Sequence, residues 1–260
     1  MSRPDDFSGL ARYYDHLMSH VNYGRWYLVV TELAPLLPDA FRHLDAACGT
    51  GTLLRALRRA GWDSVGIDLS ASMLAQARAN EPAVPVVRAD LRRLPWKPCF
   101  NLTTCLFDSL NFVLDPGEMR RAIAELAATL DEGGLLYCDI VTERMVLDHF
   151  ADQEWVERNA GFSTRWSSRY SRTTRISETD VRINSGPVYT FRERMYARED
   201  VEQAFAAAGL TLLGAYDAET WRAARARSIR IDFVAVKGES AGPSARAFEK
   251  AAARIRRMMV

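Results

Sequence analysis

The chain has 260 residues, enough to bury a full core, and that length suits one domain with an embellishment better than two independent ones. Its 34 basic and 33 acidic side chains leave a formal charge of +1, so no global field gathers a polyanion, and nucleic acid is not an expected partner. MSRPDDFSGL lacks the charged-then-apolar layout of a secretory signal, and no apolar run reaches the roughly 18 residues of a membrane helix, so a soluble cytoplasmic protein with no membrane partner is expected.

In chain order, two helices come first, Leu10 through His20 and Trp26 through Leu36, joined by a loop at Asn22, Tyr23 and Gly24. They form an N-terminal cap. Strand and helix signals then alternate: RHLDAA, a helix from Leu53 to Ala60, SVGIDL, a helix from Ser72 to Asn80, VPVVRA, NLTTCLF, a helix from Gly117 to Leu130, and GLLYCDIV. Such alternation predicts an α/β fold with a parallel sheet and helices on both faces. Ser70 is placed as an N-cap, and Gly133 with Gly134 as a helix stop.

From about Thr142 to Met195 the chain turns rich in Arg, Ser and Thr with short alternations, RWSSRYSRTTRIS, DVRI and VYTFRERMY, which predict antiparallel strands. A helix from Glu199 to Ala208 and the strands LTLLGAYD and SIRIDFVAVK resume the α/β pattern. ESAGPS reads as a linker, and AFEKAAARIRRMM as a basic amphipathic helix with Phe248, Ala252, Ile255 and Met259 in one stripe, packing on the body or on a second subunit. The expected divisions are therefore 1–141 (cap and first part of the cofactor domain), 142–196 (β-rich insertion over the acceptor), 197–238 (remainder of the cofactor domain) and 239–260 (linker and tail helix).

Cys48, Cys99, Cys105 and Cys138 lack metal-type spacing and read as reduced thiols, and the pair His16 and His20 has no supporting carboxylate motif, so no metal site is expected. The loop LDAACGTG carries the first chemistry. A strand runs into Gly49 and Gly51 and then into a helix, so backbone can approach a ligand and amide groups point outward. A dinucleotide fingerprint needs Gly or Ala at the sixth position, where Leu54 stands and would crowd helix against strand. Asp45 precedes the glycines, where it would repel a pyrophosphate and welcome a cation. Asp68 lies about 19 residues beyond Gly49, placed for ribose hydroxyls, and Asp90 ends a third strand. The alternative is that these carboxylates only cap turns.

Together, LDAACGTG, YYDHLM, NYGRW and LFDSLNF resemble class I S-adenosylmethionine-dependent methyltransferases over about Tyr13 to Lys237, and within them bacterial small-molecule N- and O-methyltransferases, including those acting on amino sugars. The family pattern is an acidic residue followed by GxGxG, and Ala47 stands at the first glycine here. The resemblance implies a Rossmann-like seven-stranded sheet and S-adenosylmethionine as cofactor. It implies Asp45, Ala47, Cys48, Gly49 and Gly51 around the methionine part, with Leu106 also at the cofactor. Asp68 and Leu69 would meet the ribose, Asp90 and Leu91 the adenine, and Met73 the adenine face. Tyr14, Tyr23 and Trp26 would close the cofactor from the cap, with helix-to-body packing as the other reading for Tyr23 and Trp26.

Methyl transfer is an in-line displacement whose leaving group needs no protonation, so positioning matters most, although an amine or hydroxyl acceptor must still lose a proton. Asp108 and Asn111 in LFDSLNF are the candidates at the fourth strand end, with Tyr14 or His16 assisting from the cap; Asp108 capping its turn is the alternative. The [DN]PP[YF] signature of nucleic-acid amino methylases is missing, and a magnesium ligand set beyond Asp108 and Asn111 is not evident. Arg165, Arg169, Arg172 and Arg175 have no acid between them, so one face of the insertion can be positive and bind a carboxylated or phosphorylated acceptor, but a solvated strand face that resists edge pairing is the favoured reading. A small-molecule acceptor leads. A protein or RNA methyltransferase, an inert cofactor-binding protein and a homodimer stay open.

Overall fold

The computed structural model describes residues 7–159, 161–238 and 242–259. The start 1–6, where no secretory signal is expected, and the first half of the expected linker, 239–241, lie outside the described residues. Helices α1 (Ala11–Leu17) and α2 (Tyr23–Leu33) open the chain, and Asn22 caps α2 by accepting from Arg25 N–H. The body follows as β1 (Arg42–Ala46), α3 (Thr52–Arg59), β2 (Asp63–Asp68), α4 (Ala71–Asn80), β3 (Val86–Arg88), β4 (Phe100–Cys105), α5 (Pro116–Thr129) and β5 (Leu130–Val141). Next come α6 (Glu143–His149) and the strands β6 (Gln153–Asn159), β7 (Phe162–Ser171), β8 (Ile176–Ile183) and β9 (Val188–Arg194). Helix α7 (Arg198–Ala207), β10 (Leu210–Asp217), β11 (Arg230–Lys237) and α8 (Ala245–Met258) complete the chain.

Seven strands form one sheet in the order β10-β11-β5-β4-β1-β2-β3, parallel except for β11, which runs antiparallel to both β5 and β10. This is the α/β sheet that the alternation predicts, in the Rossmann-like seven-stranded form that the resemblance implies. Because the chain steps outward from β1 to β3 and then returns to β4 beside β1, the strand order reverses between β1 and β4, and a crevice opens at their carboxyl ends. One sheet face is buried under α5 and α7 through Ile123, Leu126, Val201 and Phe205, and the other under α2, α3 and α8 through Val30, Leu57 and Ile255. The segment after β5 is the expected antiparallel sheet, β6-β7-β8-β9 in simple meander order.

Ser70 caps α4 as expected, accepting from Met73 N–H at 3.1 Å. The stop at Gly133 and Gly134 is not where α5 ends: that helix closes at Thr129, and both glycines lie within β5. Helix α8 packs on α2 within the same chain, burying Phe248, Ala252 and Ile255, while Arg254 donates to Glu32 at 2.6 Å. Its apolar stripe is therefore spent on the body. Among the described residues no helix is long and apolar enough to cross a membrane.

Candidate functional site

A cavity of about 1510 Å³ runs from the carboxyl ends of β1 and β2, past β4, to the inner face of the four-stranded sheet. Its cofactor half is built on the turn after β1, where Ala47, Gly49 and Gly51 have φ of 58°, 56° and 76°. Glycine takes that region without penalty, whereas Ala47 pays about 1 kcal/mol. Leu54 is accommodated by a residue that was not singled out in the sequence: a Cβ on Gly66 of β2 would stand 2.6 Å from Leu54 Cδ2 and 2.7 Å from Cys48 Sγ. The crowding expected from Leu54 is thus relieved on the strand side.

Asp45 is buried and accepts from Thr104 Oγ1 at 2.9 Å and from Leu54 N–H. Burial, reinforced by the nearby Asp68 charge, pushes its pKa up to about 7 despite those hydrogen bonds. Below it His43 meets Thr104 Oγ1 at 3.0 Å and Ser64 Oγ at 3.1 Å, and burial lowers the His43 pKa to about 3, which keeps the ring neutral. Asp68 accepts from Gly49 N–H at 2.9 Å and from Ser70 N–H at 2.8 Å, so it also braces the glycine turn.

Leu69, Met73, Leu91 and Leu106 line the same half, together with Cys48. Asp90 lines it as well, but Arg92 grips the carboxylate at 2.5 and 2.9 Å and lowers its pKa, so any adenine contact there is shared with an ion pair. Asp15 ties the cap down, accepting from Thr50 Oγ1 at 2.5 Å and from Asn80 Nδ2 at 2.8 Å.

Tyr14, Tyr23 and Trp26 all reach the cavity. Tyr14 and Tyr23 share a hydroxyl hydrogen bond, and burial raises both pKa values, so Tyr14 stays a phenol at neutral pH and does not take protons. Trp26 is nearly buried, and its Nε1 donates to Asp139 Oδ2 at 3.1 Å, which makes it part of the frame as much as of the wall.

Phe107 and Asp108 follow β4 with φ of 58° and 53°, two consecutive left-handed residues outside glycine, a strained turn that turns Asp108 into the cavity. Asp139 Oδ1 accepts Asp108 N–H at 2.7 Å and holds that turn. Arg230 of β11 donates to Asp108 Oδ1 at 2.6 Å and to Asp139 Oδ2 at 3.0 Å. Burial works against its charge, but Asp139 and Asp108 outweigh burial and keep the guanidinium protonated.

Several expected acceptor residues sit elsewhere. Asn111 is fully buried outside the cavity wall, with Nδ2 donating to Val141 O at 3.0 Å and Arg194 O at 2.8 Å and Oδ1 accepting Val141 N–H at 3.1 Å. It clamps strands and has no polar atom left for an acceptor. His16 is exposed, and its ring meets Phe162 at 5.2 Å rather than the cavity. None of Arg165, Arg169, Arg172 and Arg175 lines the cavity. Strand alternation is the reason: in β7, Thr164, Trp166, Ser168 and Tyr170 turn inward while Arg165 and Arg169 face solvent. Arg169 is paired with Glu178 at 2.5 Å and Arg175 with Asp200 at 3.9 Å.

What the insertion brings to the cavity instead is Trp155, Glu157, Trp166, Ser177, Phe191 and Glu193. Phe191 joins Phe7 at 4.8 Å and Phe112 at 6.5 Å across the roof. Among the described residues no three His, Cys, Asp or Glu groups converge as a metal site.

The methyltransferase-domain family model matches residues 44–134, from β1 to the start of β5. The chain is 31% identical to the dTDP-3-amino-3,6-dideoxy-alpha-D-glucopyranose N,N-dimethyltransferase of Streptomyces fradiae, over 80% of this chain and 86% of that one. The S-adenosylmethionine-bound amino pentose methyltransferase of Micromonospora echinaspora calicheamicin biosynthesis is 26% identical, with a TM-score of 0.66 over 87% of this chain and 96% of that one. In fold alone, an S-adenosylmethionine-dependent methyltransferase of Clostridium acetobutylicum is similar with a TM-score of 0.76 over 88% of this chain and 97% of that one, at 21% identity.

Proposed function

Because the chain belongs to the class I S-adenosylmethionine-dependent methyltransferases, we propose that it methylates an amino or hydroxyl group of a small, sugar-like acceptor. The observation that carries this reading is one continuous cavity with the glycine turn at one end and Asp108 under an aromatic roof at the other. S-adenosylmethionine, when bound, supplies a methyl group on a positively charged sulfur.

The residues present fit that group. Asp45 offers a carboxylate to the cationic amino-acid end, Gly49 and Gly51 let the backbone approach, Asp68 accepts from ribose hydroxyls, and Met73 with Leu91 walls the adenine. Tyr14 and Tyr23 close the cap side and exclude water, and Asp108 orients the acceptor where the cavity turns from cofactor to insertion. Two experiments test the reading. S-adenosylmethionine and S-adenosylhomocysteine should raise the Tm while NAD and NADP leave it unchanged, since selective binding stabilises the native state. Mass analysis after incubation with the cofactor and a panel of amino sugars should then reveal a methylated product; stabilisation by NAD alone would remove the reading.

A further inference from the structure

Glu193 of β9 lines the acceptor end of the cavity, and its Oε1 is buried without a hydrogen-bond partner. Its neighbour is Asp108, because Asn111 Nδ2 donates to Arg194 O at 2.8 Å and so holds β9 against the turn that Asp108 opens. One oxygen of Asp108 is already taken by Arg230 at 2.6 Å. Burial first, and then the Asp108 charge and the carboxyl contact, hold the Glu193 pKa well above its ordinary value, while Arg230 works the other way. Glu193 thus lies as an acid beside the carboxylate that Arg230 holds.

The surroundings fix what that charge is for. Arg230 and Arg25 are engaged by Asp139, Asp108 and Asp232, so neither guanidinium offers a free positive face to an anion. Glu157 of β6 adds a third carboxylate to the wall, Tyr14 stays a neutral phenol, and Trp155, Trp166, Phe191 and Phe112 supply ring faces that favour a cation. A carboxylated or phosphorylated group meets repulsion here, and a neutral hydroxyl gains nothing from the negative charge.

We propose that Glu193 and Asp108 act as one proton-sharing carboxyl pair that binds the acceptor as an ammonium ion and takes one of its protons, which makes the acceptor a primary or secondary amine. The proposal rests on the methyltransferase reading above and narrows its substrate class. The step balances. Binding of the ammonium displaces the Glu193 proton to solvent through the open cavity; the ammonium then gives one of its own protons to the pair, which is again singly protonated, and the freed nitrogen lone pair forms the new N–C bond as the C–S bond breaks with its electrons on sulfur. Positive charge moves from sulfur to nitrogen during the displacement, and a chamber that is negative around the nitrogen stabilises the charge as it develops.

The test uses the full chain with S-adenosylhomocysteine and two probes of matched ring shape, cyclohexylamine and cyclohexanol. Calorimetry should give at least about tenfold tighter binding of the amine than of the alcohol. Carbon-13 NMR of carboxyl-labelled glutamate, assigned with Glu193→Gln, should show Glu193 titrating above the ordinary carboxylate range and shifted to a lower titration point by the amine only. Glu193→Gln and Asp108→Asn should each bring amine and alcohol affinities to within about threefold while S-adenosylhomocysteine still binds. Equal binding of the two probes by the wild-type protein overturns the carboxyl pair even if a variant fails to fold, as does Glu193 titrating in the ordinary carboxylate range. Failure of S-adenosylhomocysteine to bind is read first and overturns the methyltransferase reading beneath it.

Discussion

Asp45 shows how one side chain couples stability to binding. Its carboxyl has a pKa of about 7 in the folded protein against 3.8 as the ordinary value, so between those limits the folded state holds a proton that the unfolded chain has released. The stability from this group is therefore fully present below the unfolded value and is lost as pH rises through about 7. At pH near 8 the charged, buried Asp45 opposes folding by up to about 4 kcal/mol, and Asp45→Asn should raise the Tm there while sharply weakening S-adenosylmethionine binding. In the proposed role Asp45 meets the cofactor's cation in its ionised form, so wild-type affinity should be flat above about pH 7 and fall about tenfold per unit below it, with proton release on binding. Calorimetry across that range checks both statements, and a slope that persists in Asp45→Asn would assign the titration to another group. Ala47 makes a smaller case: Ala47→Gly should stabilise by about 0.5 kcal/mol, because its φ of 58° is one that glycine adopts freely.

At the scale of elements, the proposed cofactor half of the cavity is legible in the sequence because its parts are consecutive and local. A strand end, a glycine turn and a helix start fall within LDAACGTGT, and Asp68 and Asp90 mark the ends of the next two strands. The acceptor half is not, because its carboxylates and cations come from β5, β9, β11 and the turn after β4, which only tertiary structure brings together. In β7 the alternation is visible in the sequence, but a period of two does not say which face meets the body, so an acceptor-facing and a solvated arginine face both fit it, and in the structure Trp166 and Ser168 turn inward while Arg165 and Arg169 are solvated. Arg165→Ala and Arg169→Ala should accordingly leave acceptor KM within about twofold, while Phe191→Ala, in the roof, should raise it about tenfold or more with cofactor affinity kept. Steady-state kinetics on the first accepted amine decides this. Helix α8 makes the complementary case: Phe248→Ala should cost about 3–5 kcal/mol of stability, read as a shift in denaturant midpoint, because the side chain is buried between α2 and Tyr216.

At the scale of the molecule, one buried charge network fastens the cap, the sheet and the acceptor turn into a unit. Arg25 of α2 donates to Asp232 of β11 at 2.6 Å, Asp232 also accepts from Tyr137 at 2.9 Å and from Trp221 at 3.2 Å, and Asp139 of β5 receives Trp26, Arg230 and Asp108 N–H. Asp139 and Asp232 face each other across the β5–β11 register, so two carboxylates and two guanidiniums occupy one buried layer. Assemblies of this kind gain little over an apolar core when complete, yet lose several kcal/mol when one member is removed, because a buried charge is left uncompensated. Asp139→Asn should therefore destabilise by about 3–5 kcal/mol, and it should also lower kcat, since the amide keeps an oxygen for Asp108 N–H but turns a donor toward Trp26 and Arg230, which loosens Arg230's hold on Asp108. Arg230→Met should cost less stability, because Asp139 keeps its Trp26 and Asp108 donors. The double variant completes a cycle. If Asp139 and Arg230 act as a pair, the coupling should exceed about 1 kcal/mol in urea unfolding; additive losses would mean that Asp139 works through the Asp108 turn and Trp26 alone.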